Sequence, residues 1–169
     1  GILADEYYYQ SLPLCVIDSV WSIGVKYKHV QNVVARYCDY FDLQRFRADR
    51  NQFPKIESQE TITEFCGKFV KYTDLGMMSD VFQNKQRTSS RSGILKSTAV
   101  YEFAEVLKKH KVETFQDLLK TKSLALIEQD IRKITGQASG VSFQYFYMLA
   151  GDEEGIKPDR MIKRFLAAA

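Results

Sequence analysis

The sequence has few of the residues that define metal-binding and disulfide-stabilised proteins. Cysteine occurs three times and histidine twice in 169 residues. Cys15, Cys38 and Cys66 are widely spaced and form no CxxC pair, which argues against a disulfide framework, a zinc ribbon or a four-cysteine iron–sulfur cluster. His29 and His110 have no cysteine or carboxylate at metal-ligand spacing, so no metal site is predicted. We expect buried free thiols in a reducing compartment, which predicts an intracellular protein of the cytoplasm, nucleoid or nucleus.

Long uncharged apolar runs are also absent, which argues against a transmembrane helix and a membrane partner. No basic region followed by an apolar stretch opens the chain, so no signal peptide is visible. Hydrophobic residues make up 45% of the sequence, enough for one domain over residues 1–169 with its own core. The net charge of +3 permits a nucleic-acid partner without implying one. We expect a monomer.

Apolar residues recur with the period of an α-helix. One such stripe consists of Val30, Val33, Val34, Tyr37, Cys38 and Phe41. No segment alternates apolar and polar residues for long, so we predict an all-α fold, a compact multi-helix bundle. Capping residues, glycines and prolines place the helices at about 13–23, 28–43, 61–72, 78–83, 96–110, 115–119, 124–134 and 141–150, with a short last helix from Asp159. The polar, basic segment 84–93 is predicted to be an exposed loop.

The most informative segment is a glycine-bounded hairpin between two predicted helices, within residues 124–150. It reads Ile134-Thr135-Gly136-Gln137-Ala138-Ser139-Gly140-Val141-Ser142. Such a turn lets backbone N–H groups converge at a helix N-terminus, where they form a phosphate site that needs no basic side chain. The next helix is strongly apolar and ends at Gly151, and Pro158-Asp159 follows after a short charged loop. An aspartate at a fixed distance beyond a phosphate site can lie near a deoxyribose.

This arrangement resembles the helix-hairpin-helix DNA glycosylases, the superfamily of the endonuclease III-like enzymes. Ile134, Thr135 and Gly136 match the opening of the family's hairpin, and Val141-Ser142 match its end, whereas Ala138 replaces its second glycine. The order of elements also matches upstream, in the segments 14–37 and 93–118. The chain therefore looks like a divergent member, and the resemblance covers most of its length.

The resemblance implies a base-excision repair activity on double-stranded DNA. The hairpin residues Gly136, Gln137, Ala138, Ser139 and Gly140 would bind the DNA backbone, and the family allows a monovalent cation there. Asp159 would act on a flipped-out damaged or mismatched base, stabilising the sugar cation and activating water to hydrolyse the N-glycosidic bond.

Three differences from the family pattern restrict the expected activity and domain content. Bifunctional members carry a catalytic lysine where this chain has Gly140, so no Schiff base can form by that route and a monofunctional enzyme is expected. The cysteines of the family's iron–sulfur cluster are missing. Only Arg160 to Ala169 follow Asp159, so a truncated second domain is an open expectation.

Each functional interpretation has a structural alternative. Trp21 and Ser22 are candidate DNA contacts at the turn after the first helix, yet a tryptophan on an apolar helix is also a core residue. Arg87, Arg91 and Lys96 form a candidate phosphate-facing edge or a merely solvated one.

The hairpin has such an alternative too, since it could simply connect two helices, and Asp159 could simply cap one. At the level of function, the alternatives are a non-catalytic DNA-binding module of the same fold and a helical protein without a DNA function.

Overall fold

The computed structural model describes residues 7–71 and 75–151, except for the side chains of residues 75–77 and 79. This part of the chain holds eight α-helices and one 3-10 turn, Ile56–Ser58, and no strand longer than an isolated bridge. The helices are α1 (Leu12–Trp21), α2 (Tyr27–Phe41), α3 (Ile62–Lys71), α4 (Leu75–Phe82), α5 (Lys96–Lys109), α6 (Phe115–Lys120), α7 (Leu124–Arg132) and α8 (Val141–Gly151). The predicted all-α fold is confirmed. The predicted helix from Asp159 lies outside the described residues.

Helix α1 is the centre of the bundle. All ten of its residues are buried, because α8, α5 and α2 pack around it. Its sequence is apolar at most positions, as expected for a helix without a solvent face, and Pro13 occupies its first turn, where a missing N–H costs nothing. The strongly apolar sequence of α8 predicts a helix buried on all sides, but Gln144 is exposed and Tyr147 is 39% exposed. One edge of α8 therefore reaches the surface.

Local side-chain caps fix the start of two helices. Thr61 accepts a hydrogen bond from the Glu64 N–H (3.1 Å) and so caps α3, as its sequence predicts. Thr114 and Asp117 form a complete capping box at α6. Ser123, also predicted to be a cap, makes no such bond at α7.

The first described residues are part of the core. The Gln10 N–H donates to the Arg45 carbonyl (2.9 Å) and the Arg47 N–H donates to the Tyr8 carbonyl (2.9 Å). Tyr7, Tyr8 and Tyr9 are buried, so this tyrosine run packs against the bundle and offers no face for stacking on bases. No helix in the described ranges is long and apolar enough to cross a bilayer.

Candidate nucleic-acid interface

The hairpin predicted from the sequence connects α7 to α8. Gly136 has φ +89° and Gly140 has φ +77°, a region in which a Cβ atom costs roughly 1–2 kcal/mol. Ala138, which replaces the second glycine of the family pattern, does not have a positive φ. Ala138 is therefore free of the backbone strain that an alanine would have at either glycine.

Three of the five predicted hairpin residues have unused backbone donors. The N–H groups of Gly136, Ala138 and Ser139 donate to no group in the described part of the chain, and these residues are exposed. The N–H groups of Gln137 and Gly140 serve the turn itself, donating to the carbonyls of Ile134 (2.9 Å) and Gln137 (3.1 Å). The hairpin thus presents three free donors to solvent, directly before the N-terminus of α8.

The side chain of Gln137 points inward and not toward a ligand. Gln137 is 1% exposed and accepts a hydrogen bond from the Ser142 hydroxyl in the first turn of α8. This contact ties the turn to the helix that follows it, so Gln137 positions its exposed neighbours.

Two basic residues before the hairpin were missed by the sequence analysis. Arg132 is exposed, and its Nε donates to the Ala138 carbonyl (2.9 Å), which holds a guanidinium group beside the free donors. Lys133 is exposed as well and forms an ion pair with Asp130 (3.5 Å). Their position immediately before the glycine turn was the available signal.

The basic loop 84–95 lies against this hairpin. A Cβ atom on Gly136 would lie 2.5 Å from Cβ of Thr88, so the two segments meet without any intervening atoms. The loop is closed by a bridge between Arg87 and Leu95 and by a hydrogen bond from the Thr88 N–H to the Ile94 carbonyl (2.8 Å). Arg87 and Arg91 are exposed here. The structure therefore brings together two candidate regions that are far apart in the sequence.

Trp21 is buried in the core, and Ser22 is partly buried beside it at the end of α1. Trp21 is 0% exposed and packs edge-on against Phe82 at a centroid distance of 4.9 Å. Ser22 donates to the backbone carbonyl of Asp18 (2.7 Å) and also contacts its carboxylate (2.8 Å). Trp21 is therefore a core residue. Ser22 mainly stabilises the end of α1 through its hydrogen bonds with Asp18.

Asp18 anchors this end of α1 through a buried polar cluster. Tyr9 donates its hydroxyl to the fully buried Asp18 carboxylate at 2.5 Å. Burial, and then the negative charge of Asp18, raise the pKa of Tyr9 well above its usual value. The same two causes raise the pKa of Tyr145 on α8. The tyrosine hydroxyls thus stay protonated as donors.

Lys96 is a buried residue and not part of the exposed edge predicted with Arg87 and Arg91. It is 4% exposed, and its Nζ donates to the carbonyls of Trp21 (3.0 Å) and Ile23 (2.9 Å). The Trp21 carbonyl ends α1 and the Ile23 carbonyl follows in the next turn, and a cation is favoured at this end of a helix by its dipole. Burial lowers the pKa of Lys96 to about 8. Lys96 therefore links the start of α5 to the end of α1.

A family described as Domain of unknown function (DUF8548) matches residues 2–169. The chain belongs to this family. No curated protein and no solved structure matches it.

In this DUF8548 domain, the predicted catalytic residue Asp159 and its surroundings, residues 157–162, lie outside the described residues. The described part of the candidate site therefore consists of the hairpin, Arg132 and the adjacent loop with Arg87.

Proposed function

We propose that this domain binds double-stranded DNA through the hairpin between α7 and α8, as helix-hairpin-helix DNA glycosylases do. The observation that carries the proposal is the turn itself. Two glycines at positive φ frame three exposed N–H groups that have no acceptor in the described chain, with a helix N-terminus directly behind them. A DNA phosphate supplies the acceptors that these groups lack.

Shape and charge around the turn support this partner. Ala138 and Ser139 are small and exposed, so a phosphodiester can approach the backbone closely. Arg132, bonded to the hairpin, and Arg87, next to Thr88 in the loop, add exposed cationic groups. Cationic side chains add a salt-dependent attraction to the oriented N–H donors.

The proposed chemistry is hydrolysis of an N-glycosidic bond by Asp159, without a lyase step. Gly140, at the position of the lysine in bifunctional relatives, is buried and has a positive φ. An amine nucleophile is missing at that point of the hairpin. A base flipped from the duplex would be released by activated water, leaving an abasic site.

A non-catalytic DNA-binding module is the second candidate. The burial of Trp21 favours it, because this candidate DNA contact is not exposed to a duplex. Such a module would keep the phosphate contacts of the hairpin and lack base release.

Binding is tested with a fluorescent duplex and a substitution in the hairpin. We expect Ala138→Glu to weaken binding about tenfold or more, because a carboxylate would face the phosphate. Ala138→Gln is the neutral control of the same size, and Gln52→Glu adds the same charge at an exposed position outside the hairpin and the basic loop. Wild-type affinity should fall steeply with salt. Equal effects of Ala138→Glu and Gln52→Glu would contradict the hairpin site.

Catalysis is tested in single-turnover reactions on duplexes with uracil, mismatched thymine, oxidised bases or alkylated purines. We expect strand cleavage of one substrate only after hot alkali. Asp159→Asn should abolish base release and leave duplex binding within about twofold of wild type. Cleavage without alkali would contradict the assignment of a monofunctional enzyme. Binding without any base release would establish the non-catalytic module.

A further inference from the structure

A second polar site lies beside the hairpin, in a cavity of about 370 Å³. The turn after α1 forms one wall, the loop 86–90 forms the other, and Lys96 completes the lining. The lining residues with polar side chains are Gln86, Arg87, Thr88, Ser89, Ser90 and Lys96. They include two cations and three hydroxyl groups, and no carboxylate. This composition is typical of a site for an anion.

The charge of Lys96 is uncompensated among the described residues. Both groups that accept from its Nζ are neutral carbonyls, and no carboxylate of the described chain forms an ion pair with it. An ammonium group has three N–H donors, so one remains beyond these two bonds. A buried cation without a counter-ion is costly, and an anion in the cavity that it lines would offset that cost.

The opposite wall has further unused donors. The hydroxyl and N–H groups of Ser89 and Ser90 make no hydrogen bond with any described residue. Both serines are exposed on the loop, and the guanidinium of Arg87 next to them donates to the Gly93 carbonyl (3.1 Å). Nitrogen and hydroxyl donors that line one cavity together with two cations are the groups that hold phosphate.

Close packing and a backbone hydrogen bond hold the loop that contains Ser89 and Ser90 in one conformation before a ligand binds. Gly93 lies so close to the opposite side of the loop that an added Cβ atom would be 2.1 Å from the Ser89 nitrogen. The Lys96 N–H donates to the Gln86 carbonyl (2.8 Å), which closes the loop at its base. A ligand therefore meets donors already in position, and little ordering has to accompany binding.

We propose that this cavity binds a phosphate group, with Lys96 as its buried counter-charge and Arg87, Ser89 and Ser90 as its outer donors. It is a site distinct from the hairpin turn, and the side chain of Thr88 separates the two. The proposal goes beyond the proposed function, because the recognised chemistry is the phosphate itself. Its source is either a DNA phosphodiester or a free phosphate.

The test is a titration of isotope-labelled protein with inorganic phosphate at constant ionic strength, with chloride as the reference. We expect saturable shifts at the amides of Gly24, Ser89 and Ser90. Arg87→Gln should lower the phosphate affinity about fivefold or more. Arg91→Gln removes the same charge from the same loop outside the cavity and should change it less than about twofold.

A further variant and the titration of Lys96 test the same cavity. Ser90→Glu places a carboxylate in the cavity at an exposed position and should abolish the shifts while the protein stays folded. Phosphate should also move the titration of the Lys96 ammonium to higher pH, since an anion favours the charged form. Absence of saturable shifts, or equal losses in Arg87→Gln and Arg91→Gln, would overturn the proposal.

A competing duplex identifies the source of the phosphate. If the duplex displaces inorganic phosphate from the cavity, the ligand is a DNA phosphodiester. If phosphate binds and the duplex neither binds nor competes, the cavity site stands and the DNA proposal fails. If the duplex binds in an Ala138-dependent manner and phosphate never shifts the cavity amides, the DNA proposal stands and the cavity site fails.

Discussion

The contact between Gly136 and Thr88 joins the hairpin to the basic loop, and it predicts a measurable penalty for a methyl group. In Gly136→Ala, the new Cβ atom meets the Thr88 side chain at 2.5 Å and the backbone keeps φ +89°. The positive φ costs roughly 1–2 kcal/mol and the overlap roughly 1–3 kcal/mol more. We therefore expect the free energy of unfolding to fall by about 2–5 kcal/mol.

The control for backbone strain is Gly24→Ala. Gly24 has a similar φ of +73°, but a Cβ atom there has nothing within 4 Å. Both substitutions restrict the unfolded chain equally, so that contribution cancels in the comparison. Gly24→Ala should cost only about 1–2 kcal/mol, the strain alone.

Urea denaturation of the single and double variants separates the two contributions. In a Thr88→Gly background, the atoms that clash with the new methyl group are gone, so Gly136→Ala should cost no more than Gly24→Ala. If Gly136→Ala costs the same with and without the Thr88 side chain, the two segments do not touch and the reasoning is refuted.

Three further predictions concern stability and reactivity. Thr114→Ala removes the cap of α6 and should cost about 1 kcal/mol of unfolding free energy, with no change in the denaturant m-value; an unchanged midpoint would contradict the cap. The hydrogen bond from His110, then that from Lys109, lowers the pKa of Asp130 from 3.8 to about 2. The stability from Asp130 is therefore complete above about pH 4 and lost as the pH falls through about 2, and Asp130→Asn should flatten an acid titration of stability in that window. Burial raises the pKa of Cys38 and Cys66 to about 12, so neither thiol should react with a maleimide at pH 8 until the protein unfolds; fast native labelling would contradict their burial.

Periodicity predicted the helices well, because each amphipathic stripe needs a core to pack on. The ends were less predictable. Helix α1 was expected to reach residue 23 and ends at Trp21, where Lys96 and Ser22 bind its last carbonyls. Those contacts come from tertiary structure and from local bonding that no periodic pattern contains.

Lys96 shows how a charged residue can mislead a sequence analysis. It follows a basic loop, so it was grouped with Arg87 and Arg91. It also stands four residues before Val100 and seven before Phe103, on the apolar stripe of α5, and that position was the available signal of burial. The turn between α7 and α8 was easier to predict, because two closely spaced glycines between helices indicate a turn that needs positive φ.

The packing of α1 against α8 has a consequence for synthesis of the chain on the ribosome. Every residue of α1 is buried, and α8 is the last helix of the described chain to be made. Helix α1 is synthesised before α8, so its apolar surface lacks the contacts with α8 until Val141–Gly151 has left the exit tunnel. The contacts between α1 and α8 therefore form late in synthesis. A chaperone that shields the segment Leu12–Trp21 during translation would raise the yield of native protein.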